Sequence, residues 1–255
     1  YMYMFDVRFI AFGIVALIMG AFFLYHGYKS FKLKTLIENI PTSKVRSLAM
    51  GLVEIFGKVI SEEKKLLKSP FENKTCVFYR YVVEEYRRGK DHNYWATIRQ
   101  GFDSVHFYLQ DDTGKVLVDP KGAHVDIPVD FSFTTGLGRG VPLHVKEFLQ
   151  SKNVRHQGIL GFGKKLRFTE YVLEPKDKVY ILGTAGNNPF VKTSKKNEES
   201  IMVQKGVNEK IFYISDKEEG AVLKSLKWKS FGFLIGGTVL SLFGLTVILI
   251  SFGLF

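Results

Sequence analysis

The residue with the greatest chemical potential in this sequence is its single cysteine, Cys76, within "SPFENKTCVFYRYVVEEYRR", Ser69 to Arg88. A thiol nucleophile needs a depressed pKa and a base within reach. On a strand Cys76 shares its face with Phe78, Arg80 and Val82, and no histidine lies close in sequence. The residue is therefore read as a buried structural thiol. His92, His106, His124, His144 and His156 are scattered, without the i, i+4 or Cys-x-x-Cys spacing of a metal site. Glu84 and Glu85 are adjacent, so a strand points them to opposite faces, and they cannot act as one acid/base pair. Arg80 and Glu84 share a face at roughly 13 Å and are expected to pair with residues on neighbouring strands. Asp111, Asp112 and Asp119 fit turn chemistry. The glycine-rich "TTGLGRG", Thr134 to Gly140, lacks the Gly-Lys-Ser/Thr ending of a phosphate loop. No catalytic group, metal or cofactor is expected.

The elements that position these residues are mostly strands. "GLVEIFGKVI" sets Val53, Ile55, Gly57 and Val59 on one face at period 2, and "CVFYRYVVEEYR" is a dense β-branched and aromatic run. "RRGKDH" reads as a hairpin loop leading into "NYWATIRQG", and "DDTG" joins "SVHFYLQ" to "KVLVD". Further strands follow in "VDIPVDFSF", "KLRFTEYVLE", "KVYILGTA" and "EKIFYIS", interrupted by one helix, "PLHVKEFLQSKN". Val53-x-Ile55-x-Gly57-x-Val59 is echoed by Val179-x-Ile181-x-Gly183-x-Ala185, as equivalent strands of a curved sheet would be. "NNPFVKTSKKNEES", residues 187–200, reads as a mobile loop, and Ser215 with Glu218 as a capping box. Aromatic neighbours such as Phe78 to Tyr81 point to both faces of a strand, so a base-stacking platform is not indicated and nucleic acid is not the expected partner.

Two segments differ from all of this. Residues 9–28 contain no Asp, Glu, Lys or Arg, and residues 231–255 contain no charge at all. Each meets the requirement of about 20 apolar residues for a helix crossing a bilayer. The first run is longer than a signal-peptide core and is followed by no cleavage site, so a retained anchor is expected. Lys29, Lys32 and Lys34 follow the first span and Lys224, Lys227 and Lys229 precede the second, which predicts a cytoplasmic middle region and outward termini. The formal charge of +11 then belongs to that middle region, as suits a domain beside an anionic leaflet. Gly13, Gly20 and Gly27 recur at heptad intervals, as do Gly237 and Gly244 with Ser251. Such faces let two backbones approach, either between the spans or in a homo-oligomer.

The predicted fold class is a membrane-anchored, mainly β protein: a curved antiparallel sheet or barrel-like domain with one or two helices, between two transmembrane helices. Its parts are a tail (1–8), the first span (9–28), a juxtamembrane linker or helix (29–47), the β-domain (48–214), a juxtamembrane helix (215–230) and the second span (231–255). The expected location is a cell membrane, multi-pass. The lipid bilayer and other membrane or cytoplasmic proteins are the expected partners.

The combination Pro70-Phe71, Cys76, Tyr79-Arg80-Tyr81, Glu84-Glu85, Asp112-x-Gly114, Asp119-Pro120 and Gly183 resembles the GIDE domain, also called BAM for "beside a membrane". That domain is the middle region of mitochondria-anchored E3 ubiquitin ligases and occurs in prokaryotic membrane proteins. The resemblance implies the order span, GIDE domain, span. In the ligases catalysis belongs to a RING domain, whose two zinc ions take eight Cys and His ligands. With one cysteine the chain is expected to be without a RING. The function expected is therefore a non-catalytic, membrane-tethered interaction or scaffold protein. An E3 ubiquitin ligase-like transferase, implied by the resemblance, and a membrane hydrolase are the alternatives.

Overall fold

The two uncharged runs lie in two long helices, α1 (Val7–Asn39) and α4 (Glu219–Ser251), each of 33 residues. Each contains an 18-residue window of mean hydropathy 2.4, so Val7–Asn39 and Val222–Ser251 are both long and apolar enough to cross a membrane. In the computed structural model the described residues are 7–61, 66–90, 92–135, 142–151, 165–191, 197–207, 211–217 and 219–252. They fall into two compact units, one holding both long helices and one spanning Thr42–Lys217.

In the helical unit α1 and α4 run antiparallel, with Gly13 beside Gly244, Gly20 beside Gly237 and Ser241, and Gly27 beside Leu234. The first helix continues unbroken past residue 28 and ends before Pro41, where the residue preceding proline is pushed out of the helical region. Phe9, Phe12, Ile18 and Phe22 face outward, as do Phe231, Leu242 and Phe243.

The second unit is built from strands β1 (Gly51–Ile60), β2 (Leu67–Lys68), β3 (Thr75–Cys76), β4 (Phe78–Arg88), β5 (Asn93–Ser104), β6 (Phe107–Gln110) and β7 (Lys115–Val118). Then come β8 (His124–Asp126), β9 (Phe131–Thr134), helix α2 (Leu143–Ser151), β10 (Leu166–Leu173), β11 (Lys178–Asn187), a helical turn α3 (Asn197–Ser200), β12 (Ile201–Gln204) and β13 (Tyr213–Ser215). Strands β1, β6, β7, β12 and β11 form a closed ring, because β11 also pairs with β1; β13 and β8 extend the sheet from β11. Most pairings are antiparallel, whereas β12–β7 and β13–β8 are parallel. The barrel-like interior holds Val53, Ile55, Val59, Phe107, Leu109, Val179, Ile181 and Val203.

The two strands with the repeated glycine pattern are hydrogen-bonded neighbours: Val53 lies opposite Gly183, and Gly57 opposite Val179. A Cβ on Gly57 would lie 2.5 Å from the Gln110 carbonyl oxygen, and one on Gly183 2.8 Å from the Phe212 ring. Both glycines thus stand where the closing sheet leaves no room for a side chain.

A second sheet, in the order β5-β4-β10-β9, has one covered face. There Phe71, Tyr81, Val83, Leu166 and Phe168 pack with Val145 and Leu149 of α2. A β-bulge between Val83 and Glu84 leaves Ile98 without a directly opposed partner.

The structure corrects several local expectations. The run from Cys76 to Arg87 is not one strand but parts of two, with Val77 between β3 and β4. Residues 187–200 include the end of β11 and the α3 turn, which lead into a strand, β12; residues 192–196 of the expected loop lie outside the described residues. Ser215 belongs to β13 and donates its hydroxyl to the Asp126 carbonyl oxygen at 3.0 Å, while Glu218, the other half of the expected capping box, lies outside the described residues.

Candidate interaction surface

Cys76 is fully buried, and its sulfur has a weak contact to the Leu67 carbonyl oxygen at 3.9 Å. Burial pushes the thiol up to about 12, and the nearby carboxylates Glu170 and Glu174 act in the same direction. At neutral pH the sulfur is a protonated thiol, a poor nucleophile. Among the described residues no three His, Cys, Asp or Glu side chains converge as metal ligands.

The remaining motif residues are divided among turns and sheet faces. Pro70 and Phe71 lie in the turn between β2 and β3, which wraps around the buried carboxylate of Glu170. That carboxylate accepts hydrogen bonds from Ser69 Oγ (3.0 Å), Phe71 N (2.8 Å) and Glu72 N (3.2 Å). Burial raises the Glu170 carboxyl above its ordinary value despite these three donors. Asn73, with φ +57°, closes the turn, its N–H donating to the Ser69 carbonyl at 3.1 Å.

Asp112 and Gly114 belong to the β6–β7 turn, which holds the 3-10 turn at residues 45–47. Asp111 accepts from Val45 N at 2.9 Å, Thr113 Oγ1 accepts from Arg46 N at 3.1 Å, and Lys44 pairs with Asp112 at 2.5 Å. Burial raises the Asp111 carboxyl, but the donors Val45, Thr113 and Gly114 outweigh it and leave the group below the usual carboxylate range. Asp119 and Pro120 open a turn whose Gly122 has φ +79°. There Asp119 Oδ1 accepts from Lys121 N at 3.1 Å and lies 3.6 Å from His106 Nε2.

Tyr79 and Tyr81 face α2, whereas Arg80 and Glu84 face away from it. Cross-strand register puts Arg80 opposite Tyr171 and Glu84 opposite Arg167. The Arg80 guanidinium stacks 4.0 Å from the Tyr171 ring centre, and Arg167 Nε donates to Glu84 Oε2 at 2.6 Å. Glu85 pairs with Arg87 at 3.0 Å.

Two features of this domain present themselves to a ligand. One is the outer edge of β5, twelve residues long, which pairs with β4 on one side and with no other strand among the described residues. Beside it the uncovered sheet face is cationic and aromatic. Trp95 packs 5.1 Å from Tyr86, Arg167 lies 4.5 Å above the Trp95 ring, and Lys165 lies 4.7 Å above Tyr86. The other feature is a groove of about 1150 Å³ at the C-terminal end of β5, between Phe102, His106, Asp119, Asn188, Phe190 and Gln204. Phe102 and Phe190 are 67% and 65% exposed, and the His106 and Phe190 rings meet edge to face at 5.3 Å. No sequence motif announced the groove, because its walls come from five separate stretches of chain.

A barrel-like β-domain in one chain with two membrane-length helices is the class of protein this architecture defines. The family model GIDE, described as E3 Ubiquitin ligase, matches residues 79–249. The chain belongs to the GIDE family. The match covers the four-stranded sheet, most of the barrel and most of α4; β1 and the Glu170-bound turn precede it. Comparisons with curated proteins and with solved structures found no match.

Proposed function

We propose that this protein is a non-catalytic, multi-pass membrane protein that presents its GIDE domain at the cytoplasmic face and there recruits or organises other proteins. The observation that carries this reading is the long edge of β5, unpaired among the described residues, on a chain with two membrane-length helices. An edge of this kind offers a row of backbone donors and acceptors to another chain. The basic residues beside the helices support cytoplasmic placement, since Lys and Arg resist translocation. Cys76, protonated and enclosed, supports recognition rather than covalent transfer.

The second reading, an E3 ubiquitin ligase-like transferase, is favoured by the family description. A photo-crosslinker placed at Thr97 on the open edge, in membranes carrying either wild-type protein or its Cys76→Ser variant, separates the two. A recognition domain gives the same crosslinked adducts in both. Ubiquitin transfer from a charged conjugating enzyme by the wild type, abolished in a folded Cys76→Ser variant, would establish the transferase and overturn the proposal.

A further inference from the structure

The open edge of β5 begins beside a cationic, aromatic surface and ends at the groove. Strand register sets Arg88, Tyr86, Glu84, Val82 and Arg80 on the same face of β4, opposite Asn93, Trp95, Thr97, Gln100 and Phe102 of β5. At the N-terminal end of β5 Lys165 and Arg167 lie over Tyr86 and Trp95, with Glu84 already paired to Arg167, and Arg88 follows on the same face opposite Asn93. Lys165 and Arg88 are solvent-exposed, and among the described residues neither has an acidic partner at hydrogen-bonding distance. At the other end, Phe102 and Phe190 expose apolar ring surface to the groove. A peptide lying along β5 would meet three unlike demands in sequence: backbone groups to pair, positive charge to neutralise and an apolar slot to fill.

Resting on the interaction reading above, we infer that β5 captures an extended acidic peptide by strand addition. The peptide runs antiparallel to β5, with an apolar residue near its N-terminus in the Phe102–Phe190 groove and alternating carboxylates over Lys165, Arg167 and Arg88. Antiparallel pairing joins residues across the edge with the better ladder geometry. Its period of two brings every second side chain over the same sheet face. A carboxylate there gains a charge-assisted hydrogen bond from Lys165 or Arg88. A second copy of this chain is a poorer occupant, because two β5 edges would bring Arg99 and the neighbouring basic groups of both copies together. Nucleic acid would use the same positive face but would leave the strand edge unpaired.

The test uses the full chain in detergent or nanodiscs and a fluorescein-labelled peptide of sequence Phe-Thr-Val-Thr-Glu-Thr-Glu-Thr-Glu, followed by fluorescence anisotropy. Saturable binding is expected, weakened about tenfold or more by N-methylation of alternate peptide groups, which removes the strand pairing, and by Lys165→Glu with Arg88→Glu. Phe102→Ala should weaken this peptide more than one whose first residue is alanine. No saturation up to about 1 mM, or indifference to N-methylation, would overturn the inference. So would oligothymidine or anionic vesicles displacing the peptide at equal charge concentration, or a concentration-dependent dimer that excludes it. A protein that ignores the peptide yet forms crosslinked adducts at Thr97 refutes strand addition by acidic peptides alone; absence of adducts from every exposed position refutes the recruiting function itself.

Discussion

Glu170 and Phe71 are separated by most of the four-stranded sheet in sequence, yet Glu170 Oε1 accepts the Phe71 backbone N–H at 2.8 Å. With Ser69 and Glu72 also donating, one buried carboxylate holds the turn that seats Phe71 against Tyr81, Phe148 and Phe168. Removing it strands three donors. Glu170→Ala is expected to cost about 2–4 kcal/mol, read as a shift in denaturant midpoint.

Glu170 also gives stability a defined pH slope. Its folded carboxyl titrates above the unfolded value of about 4.3, so on raising the pH the unfolded chain loses its proton first. This contribution to stability is greatest below the unfolded value, falls as pH rises towards the folded value and is flat beyond. Glu170→Gln, which keeps the size but cannot ionise, removes that slope; the check is the difference between the two proteins' unfolding midpoints across mildly acid pH. Equal slopes would show that the carboxyl does not titrate in this way.

Cys76 is expected to resist alkylation. With its thiol pushed up to about 12, iodoacetamide at neutral pH should leave the folded protein unmodified and label it completely after denaturation. Cys76→Ser should fold with a loss of about 1–2 kcal/mol, from a hydroxyl in an apolar site. Rapid labelling of the native protein would contradict the buried-thiol account.

Between the long helices, a Cβ on Gly244 would lie 2.7 Å from the Gly13 carbonyl oxygen, and one on Gly237 2.9 Å from that of Gly20. Backbone cannot retreat as a flexible side chain can. Gly20→Leu and Gly244→Leu are each expected to lower thermal stability in detergent by forcing α1 and α4 apart, at about 1–3 kcal/mol. Gly232, which meets nothing within 4 Å, is the control position and should tolerate leucine.

The two membrane-length helices, the barrel-like β-domain and the β4–β5 hairpin were legible in the sequence because each rests on a local signal: an uncharged run, a period of two, or turn residues. The paired echo of β1 and β11 was visible for the same reason, since both strands need glycine where the sheet closes. Strand β12 is not legible in the sequence because Ile201–Gln204 is too short to show periodicity and follows a polar stretch. Its parallel pairing with β7 brings together residues far apart in sequence. The groove was illegible on the same grounds, as was the Glu170 cluster, whose carboxylate lies about a hundred positions from its three donors. Local patterning encodes elements; a site made by closing a sheet is encoded only in their contacts.

The proposed function requires the β-domain to lie on the cytoplasmic side of a membrane. In a Cys76→Ser background, Val207→Cys places one thiol at a residue that is 90% exposed. A membrane-impermeant maleimide should leave this cysteine unlabelled in intact cells and label it fully once the membrane is permeabilised. Full labelling in intact cells would put the domain on the opposite side and contradict the account.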